Sequence, residues 1–372
     1  MTKKDLASQI SEARQTIRSD SYSMSIGEVV NLYTNGEIVI RPEFQRLFRW
    51  STAQKSRLIE SILLGIPLPT IFVMQREDGV WEVIDGLQRL STILEFMGEL
   101  RRVDGGGVLP PKRLKATEYL PSLEGVSYLE DKEGPSLDES QRIAIRRAKL
   151  SVTILLPESD DKAKGELFDR LNAGGSIATP QEIRMAQFVM RDPSFARWLT
   201  GLKELQNFKA TVPLSERLVN EGYDVELICR FMVLSTTTDF SDLDNIDDFL
   251  SARSYALLED VHFDRDEAGK LYDRSLGVLA KALGEDAFRR YDGTRFKGAF
   301  SVSAYEVCVC GIAKNIDLWE ERMGSSAGQE DLKAKVSGIW SEVPFTSRSG
   351  SGKSSKDRIP YTIPWARSYF AS

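Results

Sequence analysis

Asp85, Gly86, Gln88, Arg89, Ser91 and Thr92 crowd one short stretch, and their types suit the chemistry of phosphate. A helix N-terminus offers unpaired N–H groups and a partial positive charge, a natural seat for an anion. Gly86 admits a ligand close to the backbone. The Arg89 guanidinium can grip phosphate oxygens with two prongs. Asp85 can hold a metal ion, orient a water or cap the helix. A capped helix after a strand, with Arg89 ion-paired to Asp85, accounts for the same residues. Both readings stay open at this point.

The elements that must position these residues follow from the flanking pattern. Residues 80–84 are apolar and largely β-branched apart from Glu82, which predicts a strand. Asp85-Gly86 breaks it. Leu87, Leu90, Ile93, Leu94 and Met97 then recur at steps of three and four, a buried helix face that Gly98 closes.

Upstream, residues 41–50 hold three arginines, a glutamine, two phenylalanines and a tryptophan. Gln45 and Arg46 there are candidates to close over a ligand seated at Gly86. Ser51 caps a predicted helix over 52–64, and a Gly- and Pro-containing turn leads to a strand over 71–76. Ser25 caps an earlier helix, 26–35, followed by a short strand over 37–40. Downstream, 150–156 is a strand and 160–171 an amphipathic helix. Asn172 to Gly175 forms a Gly-rich turn, before a helix that Thr179, Pro180 and Glu182 open. Asn172 and Gly175 therefore join the candidate site.

The composition excludes several chemistries. The chain has 372 residues, a net charge of −6, 41% hydrophobic and 28% charged residues, as in a globular protein. Only a local patch can therefore attract nucleic acid. Arg101, Arg102, Lys112, Arg113, Arg146 and Arg147 are the candidates, although the basic run 142–149 equally suits a solvated helix face. His262 is the sole histidine, which argues against zinc sites and Ser-His-Asp hydrolysis. Three cysteines without a paired spacing suit a reducing cytoplasm, and Cys308 and Cys310 fall in an apolar run that reads as core. No apolar run is long enough for a membrane span, and the N-terminus does not read as a signal peptide. Residues 349–355 imitate the end of a phosphate-binding loop, but no strand leads in.

Three segments in order resemble the DUF262 family, the N-terminal domain of GmrSD-type modification-dependent restriction enzymes. They are Arg41-Pro-Glu-Phe-Gln-Arg with Trp50, Ile84-Asp-Gly-Leu-Gln-Arg-Leu-Ser-Thr92, and Phe168-Asp-Arg-Leu-Asn-Ala-Gly-Gly175 with Glu182-Ile-Arg184. The resemblance implies a ParB/sulfiredoxin-like α/β fold. It links the motif at Asp85, Gly86, Gln88 and Arg89 to binding and hydrolysis of a nucleoside triphosphate. This chain departs at Leu87, where the family usually has Gln, which leaves hydrolysis open. Many relatives carry a His-rich HNH nuclease domain, which one histidine cannot build. The resemblance therefore points to a stand-alone member in bacterial defence.

The expected organisation is an N-terminal tail or helix over 1–21, a ParB-like α/β domain over 22–190, and a mostly α-helical domain over 191–372 with a flexible loop near 346–357. The expected function is nucleotide binding, with GTP or ATP and Mg2+ as cofactors. Asp85 and Arg89 would be catalytic, with Asp85 as the metal ligand. Gln45, Arg46, Gly86, Gln88, Ser91, Thr92, Asn172 and Gly175 would bind nucleotide. A protein effector is the expected partner, with DNA as a further one and self-association open. The rival is a non-catalytic DNA- or protein-binding module in which the turn only anchors phosphate or a partner. An intrinsic nuclease would need a carboxylate cluster that no spacing here specifies.

Overall fold

A computed structural model describes residues 18–40, 50–102, 105–130, 132–157, 179–350 and 352–372. The chain forms two compact units, residues 1–178 and 179–372.

The first unit is α/β. Its strands are β1 (Ser19–Ser25), β2 (Ile38–Val39), β3 (Ile71–Gln75), β4 (Trp81–Asp85) and β5 (Lys149–Leu155), and its longer helices are α1 (Ile26–Thr34), α2 (Thr52–Leu63), α3 (Leu87–Met97) and α4 (Glu139–Arg147). The sheet order is β1-β5-β3-β4-β2. β5 runs parallel to β3 and antiparallel to β1, while β4 runs antiparallel to β3 and parallel to β2. Leu150, Val152 and Ile154 alternate inward along β5, which fixes its register because a one-residue slip would turn them out to water. Ile71 and Val73 sit beside Val152 and Ile154 in the parallel register and share that core. α3 buries Leu90, Ile93, Leu94 and Phe96, and α2 buries Leu58, Ile59 and Ile62.

Local sequence explains most of these starts. Ser25 accepts from the N–H of Glu28, and Ser51 forms a capping box with Gln54. β1 departs from the expected tail. Arg18 and Ile26 bracket it with backbone bonds to Leu156 and Ala148, so pairing with β5 supplies the order that its sequence does not show.

The second unit is mostly helical: α5 (Pro180–Arg191), α6 (Pro193–Gly201), α7 (Tyr223–Thr236), α8 (Ile246–Glu259), α9 (Arg265–Leu283), α10 (Val302–Lys314), α11 (Ser326–Gly338) and α12 (Ser355–Tyr369), with shorter helices between. α7 and α10 are buried nearly all round and form its centre. Gly311 lets α12 lie directly on α10, since a Cβ there would come within 2.9 Å of the Ala366 carbonyl oxygen. α6 stops at Gly201, and the chain continues as a 3-10 turn, Leu202–Glu204, and a separate helix, Gln206–Thr211. A hairpin of β6 (Arg289–Tyr291) and β7 (Phe296–Phe300) interrupts the helices. The phosphate-loop look-alike follows the short helix Val343–Thr346 and runs into α12, whose cap is Ser354.

Candidate functional site

The motif forms a strand-turn-helix junction. β4 ends at Asp85, Gly86 turns with φ of 89°, and α3 begins at Leu87. Gly86 is required twice over. Its backbone is left-handed, and a Cβ would stand 2.7 Å from the Ile71 side chain of β3. The glycine therefore has a packing reason that needs no ligand. No side chain caps α3, whereas α1, α2, α4 and α5 each carry a Ser, Asp or Thr cap.

Arg89 lies one turn after Asp85, and its Nη2 donates to Asp85 Oδ2 at 3.0 Å. Its Nη1 donates to the carbonyls of Thr70, at 3.1 Å, and Pro69. One guanidinium thus ties the end of β4 and the first turn of α3 to the entry of β3. Only 13% of the Arg89 side chain is exposed. Burial pulls its pKa down from the ordinary value, and the charge of Asp85 pulls it back up. The Asp85 carboxylate is about one quarter exposed, and among the described residues its Oδ1 has no partner.

Gln88 reaches backward. Its Oε1 accepts from the N–H of Trp50 at 3.1 Å. That bond fastens α3 to the residue directly after 41–49. Ser91 and Thr92 lie on the buried side of α3. Thr92 Oγ1 donates to the Gln88 carbonyl at 2.6 Å, and Ser91 Oγ has no partner among the described residues. Gln45, Arg46, Asn172 and Gly175 lie outside the described residues.

Lys55 and Glu95 were not anticipated. They form an ion pair at 2.6 Å between α2 and α3, both nearly buried. The signal was Glu95 itself, a carboxylate inside the buried run Leu94-Glu95-Phe96, since a buried charge requires a partner.

Among the described residues, no group of three or more His, Cys, Asp or Glu side chains is placed to hold a metal ion. Mg2+ is commonly held by one or two carboxylates together with phosphate oxygens, so Asp85 alone fits that mode. In the expected basic patch, Arg101 donates to the Thr34 carbonyl and Arg113 to the Gly125 carbonyl, both at 2.6 Å. Arg146 and Arg147 project from the last turn of α4 into solvent. His262 is exposed in a turn, and all three cysteines are buried and unpaired. Burial pushes the Cys229 thiol up to about 11, so it is no nucleophile at neutral pH. No described helix is long and apolar enough to cross a membrane.

Residues 26–189 match the family described as GmrSD restriction endonuclease, N-terminal domain. No curated protein and no solved structure matches the chain.

Proposed function

We propose that this chain, whose residues 26–189 match the GmrSD restriction endonuclease N-terminal domain, is the nucleotide-binding component of a restriction-type system. One observation carries the reading. α3 opens without a side-chain cap, and the Asp85–Arg89 pair that spans its start leaves the turn with no net charge. A triphosphate laid against the first turn would meet backbone N–H groups and the positive end of the helix. Asp85 would supply Oδ1 to a Mg2+ ion shared with the phosphates. Arg89 would hold the turn in shape through Asp85, Pro69 and Thr70. Gln88, bonded to Trp50, would pass occupancy on to an effector protein or DNA.

The rival is an anchor without turnover. It is favoured by one fact: the Arg89 guanidinium is already engaged by Asp85 and by the carbonyls of Pro69 and Thr70. Titration of the intact chain with GTP and ATP, with and without Mg2+, tests the proposal. Saturable binding that Mg2+ strengthens is expected, and phosphate release on the same samples separates hydrolase from sensor. Failure of both nucleotides to bind refutes the reading.

A further inference from the structure

The β6–β7 hairpin carries charge that its own folding does not explain. Arg290 and Lys297 stand directly opposite each other across the two strands. Like charges in that position destabilise a hairpin. Lys297 is relieved by Asp292, at 2.8 Å. Asp292 also accepts from the N–H groups of Thr294 and Arg295, both at 2.9 Å, and from the Thr294 hydroxyl at 2.7 Å. Its carboxylate is thereby held well below the ordinary range, with the Lys297 bond as the largest cause. Asp292 is thus fully engaged. Arg290 and Arg295 have no carboxylate partner among the described residues, and both are exposed.

The hairpin is also firmly rooted. Phe288 and Phe300, at its base, pack edge-on at 5.7 Å, and both lie against buried Tyr305 of α10. The N–H of Ser301 donates to the Phe288 carbonyl at 2.9 Å, and Ser301 caps α10. Tyr291 and Phe296 pair on the face opposite Arg290 and Lys297, with ring centroids 5.0 Å apart. The result is a rooted hairpin that presents two guanidiniums without carboxylate partners among the described residues, Arg290 on β6 and Arg295 in the turn, on a chain of net charge −6.

We propose that this hairpin docks on the backbone of duplex DNA, with Arg290 and Arg295 each contacting a phosphate. A two-stranded ribbon is narrow enough to enter a major groove, and guanidiniums pair with phosphate oxygens in a two-pronged fashion. Repelling an edge-to-edge neighbour would also use charge here, but it would give the hairpin no affinity for DNA. The proposal adds a contact surface in the second unit to the restriction-type role and does not require the first unit to bind nucleotide.

The test is fluorescence anisotropy of a labelled duplex of random sequence with the intact chain, without nucleotide, across a salt series. The variant is Arg290→Glu with Arg295→Glu. Arg290→Glu sets an opposite charge against Lys297, so the hairpin keeps its fold, which circular dichroism confirms. The expected result is at least a tenfold loss of affinity and a salt slope shallower by about 2, one for each phosphate contact. Unchanged affinity or slope overturns the proposal. So does equal competition by poly-glutamate, which would mark the arm as a site for acidic protein. Nucleotide titration of the same variant is expected to match the parent, so the two proposals fail separately.

Discussion

Arg89 is where a phosphate ligand and a structural clamp make different predictions. In Arg89→Ala, Asp85 loses its partner and two carbonyls lose a donor. The pair is neither exposed nor fully buried, so breaking it falls between the ≤1 kcal/mol of a surface pair and the ~3–5 kcal/mol of a buried one. Adding a share of two lost hydrogen bonds gives about 3 kcal/mol. For a unit of this size that lowers the melting temperature by about 6–12 °C. Arg89→Lys keeps the charge but cannot fork to three acceptors, and is expected to lose about 1–2 kcal/mol. Urea unfolding followed by tryptophan fluorescence, with Trp50 and Trp81 reporting on the first unit, measures both. A clamp costs stability in the order Ala, then Lys, before any ligand is added. If Arg89→Ala unfolds within 0.5 kcal/mol of the parent (about the scatter expected of surface substitutions), the clamp reasoning is wrong and Arg89 serves only the ligand.

Two further outcomes follow from the second unit. Glu306 is fully buried between Arg230 of α7, at 2.7 Å, and Arg358 of α12. Glu306→Gln leaves Arg230 with Glu226 but removes the carboxylate that Arg358 pairs with, and about 3–5 kcal/mol of stability is expected to go; replacing Glu306 and Arg358 together by leucine should recover most of it. At Asp192, burial raises the carboxyl, but bonds from Ser194, Arg265 and the Phe195 N–H outweigh it and hold the value at about 2. The folded value is the lower one, so Asp192 contributes stability above about pH 4 that disappears as pH falls towards 2. Asp192→Asn should flatten the acid limb of a thermal-melt series in that window, and an unchanged limb would contradict the assignment.

What the sequence showed and what it hid divide by range. Helix caps at Ser25, Ser51 and Thr179 were legible because a cap is a contract between residues three apart. So were the turn at Gly86 and the ion pair of Arg89 with Asp85, its neighbour one helical turn away. β1 was not, because Ser-Asp-Ser-Tyr-Ser-Met-Ser has no buried face and becomes a strand only against β5, more than a hundred residues away. α12 was hidden by Pro360 and Pro364, which ordinarily end a helix. Their spacing of four keeps both off the side that buries Ile359, Ile363 and Ala366, so the packed face survives.

The same division applies to the site. The carbonyls of Pro69 and Thr70, which turn Arg89 from a free guanidinium into a strut, sit on a different element. So does Trp50, which engages Gln88. Local sequence therefore named the motif, while distant backbone decides what each motif side chain has left to offer a ligand. Among the described residues Asp85 Oδ1 has no partner and no side chain caps α3, whereas Ser91 and Thr92 are buried. A turn with no net charge cannot by itself offset the charge of a triphosphate, so binding there must depend steeply on Mg2+. Asp85→Asn is expected to lose that dependence, and a Mg2+ dependence as steep as the parent's would show that the metal is held elsewhere.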